Sequence, residues 1–463
     1  MIYAFPMSSD LTPAAREILA TLVAFDTTSR GSNLELIGWV EAYLDRHGVP
    51  HRRVPNADGS KSNLLATIGP AAEGGVVLSG HTDVVPVDGQ PWSTDPWTLT
   101  EKDGRLYGRG TCDMKAFLAL SLAAVPELAA ARPPKPVHLA FSYDEEIGCL
   151  GAPEMIEVIR RELPKPAVVV VGEPTDMVAV NGHKGIATFR VTVTGREAHS
   201  SQTHQGVSAI MEAVKLMSFL GDLARRLEAE ADPASPFTPK GATLTIGMVN
   251  GGTAHNIIAR ECGFTFDLRC PPGFEVEAVL APFYAEARKL DAELKARAPE
   301  AGVVVEKKTD VPPFAPEPEG AAEAFARRLA GDNGPPRVVA FAAEAGQFQR
   351  GGFSTVICGP GSIAQAHQPD EYLEISQLER GAAFHAPADR VGVRALSATA
   401  GPRRGARSGP WGSRSWPGRW RAPRRGGSAA PAPGSSSPAA GPSSRPRRIS
   451  RPGPPAAGWL SAN

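Results

Sequence analysis

Five cysteines in 463 residues, odd in number and with no C-x-x-C pair among them, argue against a disulfide framework and a thiolate zinc site and fit a reducing compartment. The chain has no run of 18 or more apolar residues and no basic-then-apolar leader, so a soluble, cytoplasmic protein without a membrane partner is expected. Lysine, aspartate and glutamate are absent from Arg390 onward, where 14 arginines lie among Pro, Gly, Ser and Ala. The formal net charge of zero therefore hides an acidic body, with 35 basic against 49 acidic residues over 1–389, a balance of −14. That charge argues against nucleic acid as a partner of the body.

The segment 385–463 reads as a tail. It carries four of the seven tryptophans and no aliphatic periodicity, and its composition offers too little apolar surface to offset the entropy of ordering, which predicts disorder. The change in composition is abrupt enough to suggest a shifted reading frame, which translation of another frame across codons 380–390 would test. A basic, Trp-containing tail that binds RNA is the reading from a different functional class.

Up to about residue 180 short β-rich runs alternate with helical ones, the pattern of an α/β layered domain. The spacing predicts helices over 11–24, 32–47, 115–130 and 151–162, and strands over 63–67, 75–80, 137–143 and 167–172. Several of these strands, such as GGVVLSG and AVVVVGE, are continuously apolar, as strands covered on both faces tend to be. Residues 186–194 (IATFRVTVT) instead alternate strictly. With helices at 207–228 and 275–297 and strands at 242–249, 260–269 and 302–307, they give the order β-α-β-β-α-β of a ferredoxin-like unit. Helix 318–331 and strands 337–341 and 354–357 then return to the first pattern. The expected architecture is a discontinuous catalytic domain, 1–184 and 311–384, with a mostly parallel, twisted sheet flanked by helices, interrupted by a ferredoxin-like insert, 185–310.

Chemistry-bearing residues cluster where strands end. FSYDEEIGC sets Glu145 and Glu146 side by side after Asp144, an arrangement that repels itself unless positive charge is near. LSGHTD supplies His81 and Asp83, LYGRGTCDMK supplies Asp113, VGEPTD supplies Glu173, and AQAHQPDEY supplies His367. In open α/β sheets the carboxyl ends of strands converge on one crevice, so these scattered stretches can meet. Two histidines and four carboxylates there are the ligand chemistry of a pair of zinc-like ions, which would neutralise the acids. Cys112, beside Asp113, has no paired base and reads as packing. His183, His204 and His255 read as loop residues.

Together with HKGIATFRVTVTGREAHSS, GGTAHNI and CGPGSIAQAHQPDEY, these motifs resemble the di-zinc amidohydrolase and peptidase family that includes aminoacylases, succinyl-diaminopimelate desuccinylase and acetylornithine deacetylase, from about Leu11 to Glu379. The resemblance implies that His81, Asp113 and Glu173 hold one zinc, and Asp113, Glu146 and His367 the other, with Asp113 bridging and cobalt an alternative metal. It implies that Asp83 orients His81, that Glu145 is the general base, and that the Asp113–Met114 peptide is cis. It further implies that His199 stabilises the oxyanion from the partner subunit of a homodimer formed through the insert. Arg269 and Asn256 resemble residues that bind a substrate carboxylate, and Glu344 could meet a cationic substrate side chain. The wording is nearest to the deacetylase branch, which implies removal of acetate from N2-acetyl-L-ornithine in arginine biosynthesis. Succinyl-diaminopimelate and other N-acyl amino acids are the alternatives in the same class.

Overall fold

The computed structural model describes residues 10–386. The tail expected over 385–463 lies, but for its first two residues, outside them, as do the readings attached to it. The chain opens with the helices Thr12–Val23 and Leu34–Arg46. In the first, Pro13 occupies the initial turn, and the carboxylate of Asp10 accepts the Thr12 N–H at 2.9 Å.

The central sheet has eight strands in the order His51–Pro55, Ser62–Ile68, Val137–Ser142, Val76–His81, Val168–Val171, Thr355–Ile357, Val180–His183 and Arg337–Val339. Its middle four run parallel, while the outer pairings include antiparallel ones. Successive residues of these strands serve opposite faces. Leu64, Leu78, Leu139 and Val170 join the core under the helices Thr12–Val23 and Ala116–Ala123, whereas Leu65, Val77, Ala140 and Val171 pack against the helix Ala152–Glu162. Burial on both sides is the reason for the continuous apolar runs.

The one stretch among the described residues that is long and apolar enough to cross a membrane, Thr111–Ala131, is part of this core. The helix expected over 115–130 is two helices, Ala116–Ala123 and Val125–Ala131, the second with Pro126 in its first turn, which lacks the N–H that an uninterrupted helix needs. Every residue of the first is buried.

A second sheet of four antiparallel strands has the order Thr243–Gly251, Glu261–Cys270, Gly185–Thr194, Gly302–Val311, the ferredoxin-like order that the alternation predicts. Ala187, Phe189, Val191 and Val193 point to its buried face. There they meet Leu216, Leu220, Leu223 and Leu227 of the helix Ala209–Ala229 and Leu280, Phe283, Leu290 and Leu294 of the helix Val276–Arg297. This core is separate from those of the large sheet. A short sheet, Thr100–Lys102, Arg105–Tyr107 and Tyr372–Glu374, and the helix Ile375–His385 escaped the sequence reading, as did the edge strand His51–Pro55. Three-residue strands are too short to show a period.

Candidate metal centre

The carboxyl ends of the parallel strands meet as expected. His81 is the last residue of Val76–His81, Glu145 and Glu146 follow Val137–Ser142, Glu173 follows Val168–Val171 after one glycine, and His367 lies in the segment between Thr355–Ile357 and Tyr372–Glu374. Asp113 sits in the irregular turn Thr111–Lys115 ahead of a helix, with Asp113–Met114 a cis peptide. Close backbone approach requires Gly172: a Cβ there would lie 2.0 Å from the Phe117 ring.

Asp113 divides its two oxygens between two histidines. Its Oδ1 is 3.0 Å from His81 Nε2, and its Oδ2 is 3.3 Å from His367 Nε2. Glu173 Oε1 lies 3.9 Å from His81 Nε2, and Glu146 Oε2 is 3.0 Å from His367 Nε2. Ligand atoms of His81, Asp113 and Glu146, and of His81, Glu145 and Glu173, fall within 4.8 Å of one another.

The electrostatics are those of a cation site. Four carboxylates face two imidazoles, and burial raises the pKa of Glu145, Glu173 and Glu146, the last to about 7. Hydrogen bonds to Asp113 and Glu146 push His367 up to about 10. In His81 burial opposes the charge, yet the surrounding acids still hold its pKa well above the ordinary value. Glu146 Oε1 and Glu173 Oε1 are buried without a hydrogen-bond donor. Orphaned oxygens of this kind, in an oxygen and imidazole donor set, fit divalent cations.

Asp144, the third acid of the run, has a different neutraliser, since Lys61 Nζ reaches its Oδ1 at 2.5 Å and also donates to the Ser29 carbonyl.

Asp83 departs from expectation. His81 Nδ1 lies 2.8 Å from the backbone carbonyl of Asp83, whereas the Asp83 carboxylate is 3.6 Å away. The carboxylate is engaged by the N–H groups of Glu145 and Glu146 and by the Ser29 hydroxyl. Glu344 is 1 % exposed, at the start of the helix Ala345–Arg350, with Ser79 donating to it at 3.2 Å.

His199 and Asn256 are exposed residues of the second sheet's loops, which are joined by the Ser200 N–H to Asn256 carbonyl bond. Arg269 lies at the other end of Glu261–Cys270, paired with Asp267 at 3.0 Å, so one chain does not gather these three residues. His204 and His255 are exposed, but His183 is a buried strand residue whose Nε2 accepts the Gly346 N–H, and burial lowers its pKa to about 4. Cys112 packs as expected, its thiol donating to the Ser362 carbonyl and its pKa raised by burial. The sequence reading missed Cys149, whose thiol donates to Glu145 Oε1 at 3.2 Å; its position four residues after Glu145 was the available signal.

The family model described as Peptidase family M20/M25/M40 matches residues 77–388. The chain belongs to this peptidase family. It is 34 % identical to the acetylornithine deacetylase of Myxococcus xanthus over 384 residues, 80 % of this chain and 96 % of that protein. It is 33 % identical to the acetylornithine deacetylase of Proteus mirabilis (strain HI4320), over 79 % and 92 % of the two chains. The M20 family metallo-carboxypeptidase Sso-CP2 of Sulfolobus solfataricus shares the fold, with a TM-score of 0.65 at 18 % identity over 80 % and 97 % of the chains. Membership in the M20 family and the candidate metal-binding group make this chain a metal-dependent amide hydrolase.

Proposed function

We propose that this M20 enzyme holds two zinc ions, or cobalt in their place, and hydrolyses N2-acetyl-L-ornithine to acetate and L-ornithine. The observation that carries the two-metal reading is the division of Asp113 between His81 and His367. The similarity to two acetylornithine deacetylases over more than nine-tenths of their length supports the substrate.

His81, Asp113 and Glu173 would hold one ion, and Asp113, Glu146 and His367 the other. Divalent cations held there supply Lewis acidity that polarises the amide carbonyl and acidifies a water. Glu145 is the proton carrier. Burial keeps its carboxylate basic, and its place beside His81 and Glu173 lets a carboxylate oxygen take the proton of the attacking water and deliver it to the departing amine nitrogen. The carbonyl of Asp83 holds the His81 ring through Nδ1, and the Asp83 carboxylate fixes the backbone that presents Glu145 and Glu146.

The four-stranded unit, 185–310, is read as a dimerisation domain inserted into the catalytic domain. Ile210, Met211 and Val214 of its first helix and Met248 and Val249 of its edge strand are exposed apolar residues suited to a second copy. His199 would then serve the partner's site, with Asn256 and Arg269 taking the substrate carboxylate from different chains. A cytoplasmic setting in arginine biosynthesis accords with the five free cysteines.

Measurement of kcat/KM on acetylornithine, acetylcitrulline and succinyl-diaminopimelate tests the substrate. A preference for the succinyl compound would replace the reading with the desuccinylase one.

A further inference from the structure

The sequence HQPDEY holds a second buried acid, Glu371, four residues after His367 and only 1 % exposed. All four hydrogen bonds to its carboxylate come from the segment leading into Asp113. Oε1 accepts the N–H groups of Cys112 at 2.8 Å and Asp113 at 3.0 Å, while Oε2 accepts the Gly110 N–H at 3.0 Å and the Arg109 guanidinium at 2.6 Å. The backbone carbonyl of Glu371 takes the Gly108 N–H at 3.0 Å as well.

Arg109, equally buried, extends the connection to the other side of the His367 loop. Its second terminal nitrogen donates to Gln90 Oε1 at 2.6 Å, and Gln90 Nε2 donates to the His367 backbone carbonyl at 3.0 Å. The Trp92 ring lies 5.1 Å from the guanidinium and donates its own N–H to Gln90 Oε1. Two segments more than 250 residues apart in sequence, one bearing Asp113 and the other His367, are thus tied by one carboxylate and one guanidinium.

We propose that Glu371, with Arg109 and Gln90, is a positioning device that presets Asp113 and His367 for the second cation of the site. The proposal rests on the two-metal reading above. The segment 108–113 has no regular secondary structure of its own to fix its course: Gly110 is left-handed at φ +82°, and Asp113 and Met114 have non-helical angles. Its N–H groups need acceptors, and Glu371 is the acceptor that also carries the sequence of a ligand loop. A carboxylate accepting from four donors at once fixes their relative positions more tightly than separate bonds would. Glutamine in its place offers one acceptor oxygen and turns an NH2 group toward donors, so half of the contacts become repulsive.

The test is metal affinity of the full-length chain, read by chelator competition with zinc and by the absorption spectrum of bound cobalt, alongside the thermal midpoint. Wild type must first bind two ions, since failure at that step sinks the two-metal reading and not this proposal. Glu371→Gln should weaken the second ion by about 10- to 100-fold, the range for residues that orient ligands, and should alter the cobalt spectrum. Gln90→Ala, at a partly exposed position, should weaken the same ion by less and leave the first unchanged. A purely structural role for Glu371 would lower the thermal midpoint of its variant while both affinities stayed at wild-type values, and that result overturns the proposal. Should Glu371→Gln fail to fold, Gln90→Ala decides alone: unchanged affinity for the second ion refutes the device.

Discussion

The carboxylate of Asp83 accepts the backbone N–H of Glu145 at 3.1 Å, and its second oxygen accepts that of Glu146 at 3.3 Å. A residue two positions after His81 therefore shapes the turn that carries Glu145 and Glu146, the proposed base and a proposed ligand. Asp83→Ala would leave those two N–H groups without their acceptor and the Ser29 hydroxyl with the Val84 carbonyl at 3.4 Å. A stability loss of about 1–3 kcal/mol per buried unsatisfied donor is expected. Turnover should fall about 10- to 100-fold, because Glu145 and Glu146 lose their frame. Urea unfolding and steady-state kinetics check both, and a variant with wild-type kcat would contradict the role.

Glu145→Gln keeps the shape of the side chain and removes its basicity. We expect kcat to fall by about 10²- to 10⁴-fold with metal content unchanged, because proton transfer is worth that much and the proposed ligands His81, Asp113, Glu146, Glu173 and His367 are intact. Elemental analysis beside the rate separates loss of the base from loss of the metal.

Removing the metal should destabilise the fold. Asp113 and Glu173 are buried and Glu145 and Glu146 partly so, and His81 and His367 are the imidazoles that offset them within the site. Treatment with a chelator should lower the thermal midpoint, and zinc at 1,000 times its Kd should restore about 4 kcal/mol. A midpoint indifferent to metal would speak against a preformed cation site.

Acid should weaken the fold through buried imidazoles outside the proposed ligand set, His138 and His183 among them. Burial lowers the pKa of His138 and of His183 to about 4, from an unfolded value near 6.5. Between those values the unfolded chain binds more protons than the folded one. The stability contributed by each group is therefore complete above pH 6.5 and is lost as pH falls toward 4, on the order of 3 kcal/mol per group. His138→Phe should flatten the pH dependence of the urea midpoint over that window. An unaltered slope would show that His138 is not held neutral.

Charge placed on the second sheet tests the dimer. Met211 is 66 % and Met248 59 % exposed, on neighbouring elements of one unit. Met211→Glu with Met248→Lys should yield a monomer by light scattering, and with His199 withdrawn from the partner's site the rate should fall together with dimer content. A fully active monomer would contradict both the interface and the role of His199.

The sequence alone determined the layered α/β class, the four-stranded antiparallel unit and the His and acid residues that meet at the strand ends, because each rests on local signals. Continuous apolar runs such as Val168–Val171 mark strands buried on both faces, strict alternation in Gly185–Thr194 marks one buried face, and His and acid residues at strand ends mark a crevice. Only the tertiary structure decided what each acid contacts. Asp144 is neutralised by Lys61, Asp83 supports a turn, Glu344 is buried beneath Ser79, and Glu371 ties Asp113 to the His367 loop. Those pairings join residues up to 265 positions apart, and no spacing in a linear sequence carries the direction in which a side chain meets such a distant partner. Burial then changes the acids themselves, since the desolvation that keeps Glu145 basic exists only once the surrounding strands have closed around it.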